Sequence, residues 1–168
     1  ILDDIRPLRA VASSGRKLLS GPLTVFDAPD AYMASTKNLP GYYFYGDAMY
    51  RGENREQGAM ITFYTGSDTG RVSVRLADEA GNVVRTMQVN AKKGFNRFIW
   101  HFDRDPLPQL EYPSGQAQQQ DSRARFFRGS GGTVIPGIYT VSLSSGDASS
   151  EAKVRVNHDP RMDAPDTD

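Results

Sequence analysis

Cysteine is absent from the 168 residues. That excludes disulfides, thiol nucleophiles and thiolate-bound zinc. Net charge is absent as well, because 20 Lys and Arg balance 20 Asp and Glu. The charges are interspersed rather than blocked, so no whole-surface field draws the chain to nucleic acid or anionic lipid. Neither a nucleic-acid partner nor membrane insertion is expected. No apolar run approaches the roughly 18–20 residues that span a bilayer. Histidine is scarce, with only His101 and His158. A catalytic dyad or an imidazole-bound metal would have to converge on one of these two.

What is present points to strands. The 16 glycines and 10 prolines fall between short apolar runs, a distribution that favours turns over long helices. From Gly58 onward the pattern has a period of two. Ala59, Ile61 and Phe63 alternate with Met60, Thr62 and Tyr64. Val72, Val74 and Leu76 alternate with Arg71, Ser73 and Arg75. Asp78-Glu79-Ala80-Gly81-Asn82 reads as a tight hairpin turn, with Val83 to Val89 returning as its partner. Asn96 to Phe102 sets Phe98, Trp100 and Phe102 on one face and Arg97, Ile99 and His101 on the other. Tyr139, Val141 and Leu143, then Ala152, Val154 and Val156, repeat the pattern. Half-buried strands in succession predict an all-β fold, an antiparallel β-sandwich with one wet face per sheet. Its predicted core is Val72, Val74, Leu76, Phe98, Trp100, Phe102, Tyr139 and Val141. The Tyr139 hydroxyl is expected to bond nearby backbone, as in a tyrosine corner.

Outside that rhythm, 1–9 reads as an extended apolar run broken by Pro7, and 10–19 as a helical turn or two. Two extended pieces flank Pro29 within 22–33. The stretch 105–133 is a long insertion, rich in Gln and ending in Gly-Ser-Gly-Gly. The tail 158–168 is polar and expected to fray or to lead out of the domain. The resulting division is 1–21 as the end of a preceding domain and 22–57 as linker and edge segments. A sandwich at 58–157 with its insertion and the tail complete it.

The stretches Val72 to Asp78, Gly81 to Thr86, Gly94 to Trp100 and Pro136 to Val141 resemble the immunoglobulin-like domain of the flagellar-hook-capping type. The whole chain resembles the C-terminal region of bacterial sortilin-like, BNR-repeat "glycosyl hydrolase" proteins. In those, a β-propeller ends in a strand like Ile1 to Arg9 before the sandwich begins. The long Gln-rich insertion departs from the pattern. The resemblance implies an immunoglobulin or fibronectin-III-like sandwich that is extracellular, cell-surface or periplasmic. Its expected partner is a preceding propeller domain or subunit, and its expected role is structural, without catalysis and without a cofactor.

Each candidate for chemistry has a plainer structural role beside it. His101 with Asp103 or Asp105 is the one candidate catalytic grouping, against a surface histidine at a strand end. His158-Asp159 reads as solvated. Asp3-Asp4, Asp103-Asp105 and Asp163-Asp166 are carboxylate neighbours, but hydrolytic acid-base work needs a pair placed across a cleft. Asp78, Glu79 and Asn82 offer oxygen ligands for calcium, yet Asp, Asn and Gly build turns unaided. Tyr42, Tyr43, Tyr45 and Tyr50, with Phe44, form the densest aromatic cluster. Such rings can stack on sugars, which makes a carbohydrate-binding module with a polysaccharide partner the alternative function.

Overall fold

A computed structural model describes residues 4–15, 17–34, 56–68, 70–106 and 131–161. Two short helices come first, α1 (Arg6–Ser14) and α2 (Lys17–Ser20). Eight strands follow: β1 (Leu23–Val25), β2 (Ala31–Tyr32), β3 (Ala59–Thr65), β4 (Gly70–Ala77), β5 (Val83–Ala91), β6 (Gly94–Trp100), β7 (Gly137–Ser145) and β8 (Ala148–Asn157). They form a three-stranded sheet in the order β1-β3-β6 and a five-stranded sheet in the order β2-β8-β7-β4-β5. The fold class is all-β, with both sheets contributing to one core.

The alternation sets the inner faces. Val72, Val74 and Leu76 of β4, Val141 and Leu143 of β7, and Val154 and Val156 of β8 are almost fully buried. Ile61, Phe63 and Trp100 meet them from the smaller sheet. Burying each of these large side chains favours folding by about 1.5–3 kcal/mol. The β4–β5 turn closes on itself, with Asp78 N donating to Asn82 O and Gly81 N to Asp78 O. Gly81 takes φ 83° there, which a residue with a Cβ rarely adopts. Strands β7 and β8 run longer than their apolar patterns and meet at a two-residue Gly146-Asp147 turn between Ser145 and Ala148.

The chain departs from the sequence expectation in five places. Arg6 to Arg9 open a helix rather than continue an extended run. Pro7 lies in the first turn, where its missing N–H costs nothing, and Asp4 Oδ1 accepts from Arg6 N at 3.0 Å. Strand β2 pairs with β8 in parallel, so the five-stranded sheet is mixed. The segment flanking Pro29 crosses from one sheet to the other, between β1, which is antiparallel to β3, and β2. The smaller sheet has no fully wet outer face, since Met60 and Thr62 are buried there too. Phe102 lies beyond the end of β6, with φ 63°, although its ring stays buried. The tail begins ordered, because Asp159 is 5% exposed and accepts from the Arg161 guanidinium and backbone N–H.

After Phe102 the chain forms a short paired stem. Asp103 bridges Thr133, Arg104 N donates to Gly132 O, Gly131 N to Arg104 O, and Val134 N to Phe102 O. This stem closes both ends of the inserted stretch against one end of the core.

Candidate functional site

Among the described residues, the stem, the β4–β5 turn and the start of β7 bring a cluster of charged and polar side chains together. Arg85 lies on the inner side of β5, opposite Leu76. Its guanidinium forks onto two carboxylates, Nη2 to Asp103 Oδ2 at 3.0 Å and Nη1 to Asp105 Oδ1 at 3.1 Å. The side chains of Arg85 and Asp103 are 21% and 26% exposed. Their attraction is therefore less screened than that of a surface pair. Asp105 also holds backbone: its N–H donates to Val84 O at 2.7 Å, and its Oδ2 accepts from Thr86 N at 2.8 Å. Among the described residues the buried Arg85 Nε has no hydrogen-bond partner.

This arrangement takes both carboxylates away from His101. The imidazole instead meets Gln57 O through Nδ1 at 2.8 Å and Glu56 Oε1 through Nε2 at 3.4 Å. It is exposed, with a side chain 57% accessible. The candidate grouping of His101 with Asp103 or Asp105 is replaced by two separate clusters, and His101 is an exposed histidine just past the end of β6. His158 is exposed as expected, but its neighbour Asp159 is not.

The oxygen ligands at the hairpin are engaged in turn-making. Asp78 Oδ1 accepts from Asn82 N at 2.8 Å, and Oδ2 from Asn82 Nδ2 at 3.1 Å. These bonds favour the ionised carboxylate and hold Asp78 below its ordinary pKa, outweighing the opposing desolvation. Glu79 Oε1 accepts from Ile138 N at 3.2 Å, tying the hairpin to β7. Among the described residues no three His, Asp or Glu side chains are placed to hold a metal together.

A cleft of about 470 Å³ lies beside this turn, lined by Asp78, Glu79, Val84, Arg104, Ile135 and Tyr139 among others. The Tyr139 hydroxyl donates to Ile135 O four residues earlier, as the sequence predicts. Burial raises the Tyr139 pKa. Its ring packs edge-on against Trp100 with centroids 5.1 Å apart. The indole Nε1 donates to Asp103 O at 3.0 Å. Trp100 thus joins the core to the backbone of the carboxylate stem. Tyr139, Trp100 and Phe102 form one aromatic group, with Phe102 edge-on to Trp100 at 5.8 Å.

Tyr42, Tyr43, Tyr45 and Tyr50 lie outside the described residues. A different aromatic set occurs on the outer face of the smaller sheet. Phe95 is 47% exposed, stacks on Phe26 at 5.8 Å and meets Tyr64 edge-on at 5.6 Å. Arg97 and Thr62 lie beside it, joined through Nε and Oγ1 at 3.2 Å. The sequence held the signal for Phe95, because it shares its parity with the outward Arg97 and Ile99. Arg85 carried no such signal, since a charged residue on an inward position is identified only by carboxylates 18 and 20 residues away. No protein-family model, curated protein or solved structure matches this chain.

Proposed function

We propose that this chain is a non-catalytic structural and interaction module, an immunoglobulin or fibronectin-III-like sandwich that braces a preceding β-propeller in an exported bacterial protein. The observation that carries this reading is where the candidate chemical groups are engaged. Asp103 and Asp105 clamp Arg85, Asp78 closes a hairpin, Glu79 ties it to β7, and His101 binds the Gln57 carbonyl. Each one holds the frame.

The strand order supports the finer fold. Sheets β1-β3-β6 and β8-β7-β4 correspond to the A-B-E and G-F-C sets of immunoglobulin domains, with β5 as the added edge strand. Tyr139 on β7 then occupies the tyrosine-corner strand. Trp100 departs from the antibody arrangement, because it ends β6 rather than sitting on the strand that corresponds to β4. Removing 58–157 from the parent protein is expected to lower its exported yield. An unchanged yield of folded, working propeller would overturn the reading.

The carbohydrate-binding alternative gains one observation of its own, the exposed Phe95 ring backed by Phe26 and Tyr64. Affinity electrophoresis in polysaccharide gels decides it. Retardation that disappears in Phe95→Ala would favour it, and no retardation on any glycan would remove it.

A further inference from the structure

We propose that two copies of this chain associate through their β5 strands, in antiparallel register about Val89. The two five-stranded sheets then become one continuous sheet. Strand β5 is the edge of its sheet. The backbone groups of Val84 and Thr86 point away from β4, because both bond Asp105. The regular β4–β5 register from Arg85 onward gives Gln88 and Asn90 the same outward direction. Among the described residues nothing pairs with those two. Asp105 already occupies the first half of the edge as a partner strand would, offering an N–H to Val84 O and an acceptor to Thr86 N. Among the described residues the second half is unpaired, and it is continuous with the first.

Three features select a second copy as the occupant. First, Thr86-Met-Gln-Val-Asn-Ala91 carries no charge, and none of the usual edge guards, an inward lysine, a proline or a bulge, interrupts it. Second, the run is self-complementary. A two-fold axis at Val89 sets Gln88 against Asn90 of the other copy, so each such pair exchanges two backbone hydrogen bonds. The exposed amide side chains of Gln88 and Asn90 then face each other on the outer side. Val89 meets its own copy on the inner side, and Met87 meets Ala91. Third, the flanking charges match. The second β5 ends at Ala91 opposite Met87, which brings its exposed Lys92 and Lys93 to the half-exposed Asp105 carboxylate. The zero net charge of the chain adds no long-range repulsion.

Sedimentation of the chain across a concentration series, read together with amide hydrogen exchange, tests this. The native chain is expected to follow a monomer–dimer equilibrium within roughly 10 μM to 1 mM, with Gln88 and Asn90 amides gaining protection as concentration rises. Gln88→Lys/Asn90→Lys places like charges opposite each other twice, and is expected to weaken association by at least ~10-fold. Gln88→Lys/Asn90→Glu places opposite charges there and is expected to restore it. These substitutions fall on two exposed side chains, and thermal melts check that the fold is kept. A native chain that stays monomeric throughout would overturn the proposal. So would a dimer indifferent to the Lys/Lys pair, or a Lys/Glu variant that fails to recover.

Discussion

Trp100 shows how one side chain serves several parts of the fold. It is fully buried, packs edge-on against Phe102 and Tyr139, and bonds the Asp103 carbonyl. Truncating a large core aromatic costs about 3–5 kcal/mol, a large part of the 5–15 kcal/mol typical of a domain's net stability. Trp100→Ala is therefore expected to unfold the chain or shift its urea midpoint strongly downward. In the native protein the indole emission should be blue-shifted and shielded from acrylamide, whereas a red-shifted, freely quenched signal would place it at the surface. Tyr139 gives a pH-dependent counterpart. Its folded pKa is raised by burial, so the folded state holds the phenolic proton where the unfolded chain has begun to lose it. The resulting stabilisation is complete below the ordinary tyrosine pKa of about 10 and is lost as pH rises through the folded value. Tyr139→Phe should flatten this alkaline decline and cost about 1 kcal/mol near neutrality for the lost bond to Ile135 O. An equally steep decline in the variant would assign it to another group. Both residues were legible in the sequence, because each is a large ring on the inward side of an alternating strand. Arg85 was not, since its partners come from a distant segment that only the folded chain brings to it.

At the scale of elements, strands and hairpins were legible wherever one face is wet. Strands β4, β7 and β8 alternate cleanly because their outer faces carry Ser, Thr, Lys and Arg. Strand β3 was legible as a strand but not as one buried on both sides. Its outward Met60 and Thr62 look ordinary in sequence, and their burial depends on neighbours contributed by other elements. Helix α1 was hidden by Pro7, which reads as a breaker within a run and as a favourable residue in a first turn. The parallel β2–β8 pair had no local signal at all, since two residues carry too little pattern to fix a partner. The stem after Phe102 was hidden inside the insertion, although Gly131 marks it. A Cβ at that position would run into the carbonyl oxygens of Arg104 and Asp105. Gly131→Ala is accordingly expected to force the stem apart at a cost of about 1–3 kcal/mol. Urea unfolding should register that loss, together with faster exchange of the Arg104 and Val134 amides. Unchanged exchange would mean that the stem tolerates the methyl group.

The whole molecule joins these parts into two sheets sharing one core, with a carboxylate clamp and an aromatic group at one end. The strand order of the two sheets is something that alternation by itself could not reach. Period two fixes which face is inward but leaves open which strands are neighbours. The function was less legible than the fold, because the same Asp, His and Tyr residues serve chemistry or framework depending on what they touch. In the described residues they touch framework. We propose that the module acts by bracing a neighbouring domain. Calorimetry of the proposed propeller-bearing parent, with and without 58–157, is the deciding measurement. If the module braces a propeller, the propeller transition moves to lower temperature when the module is removed. A propeller transition at the same temperature in both proteins would contradict it.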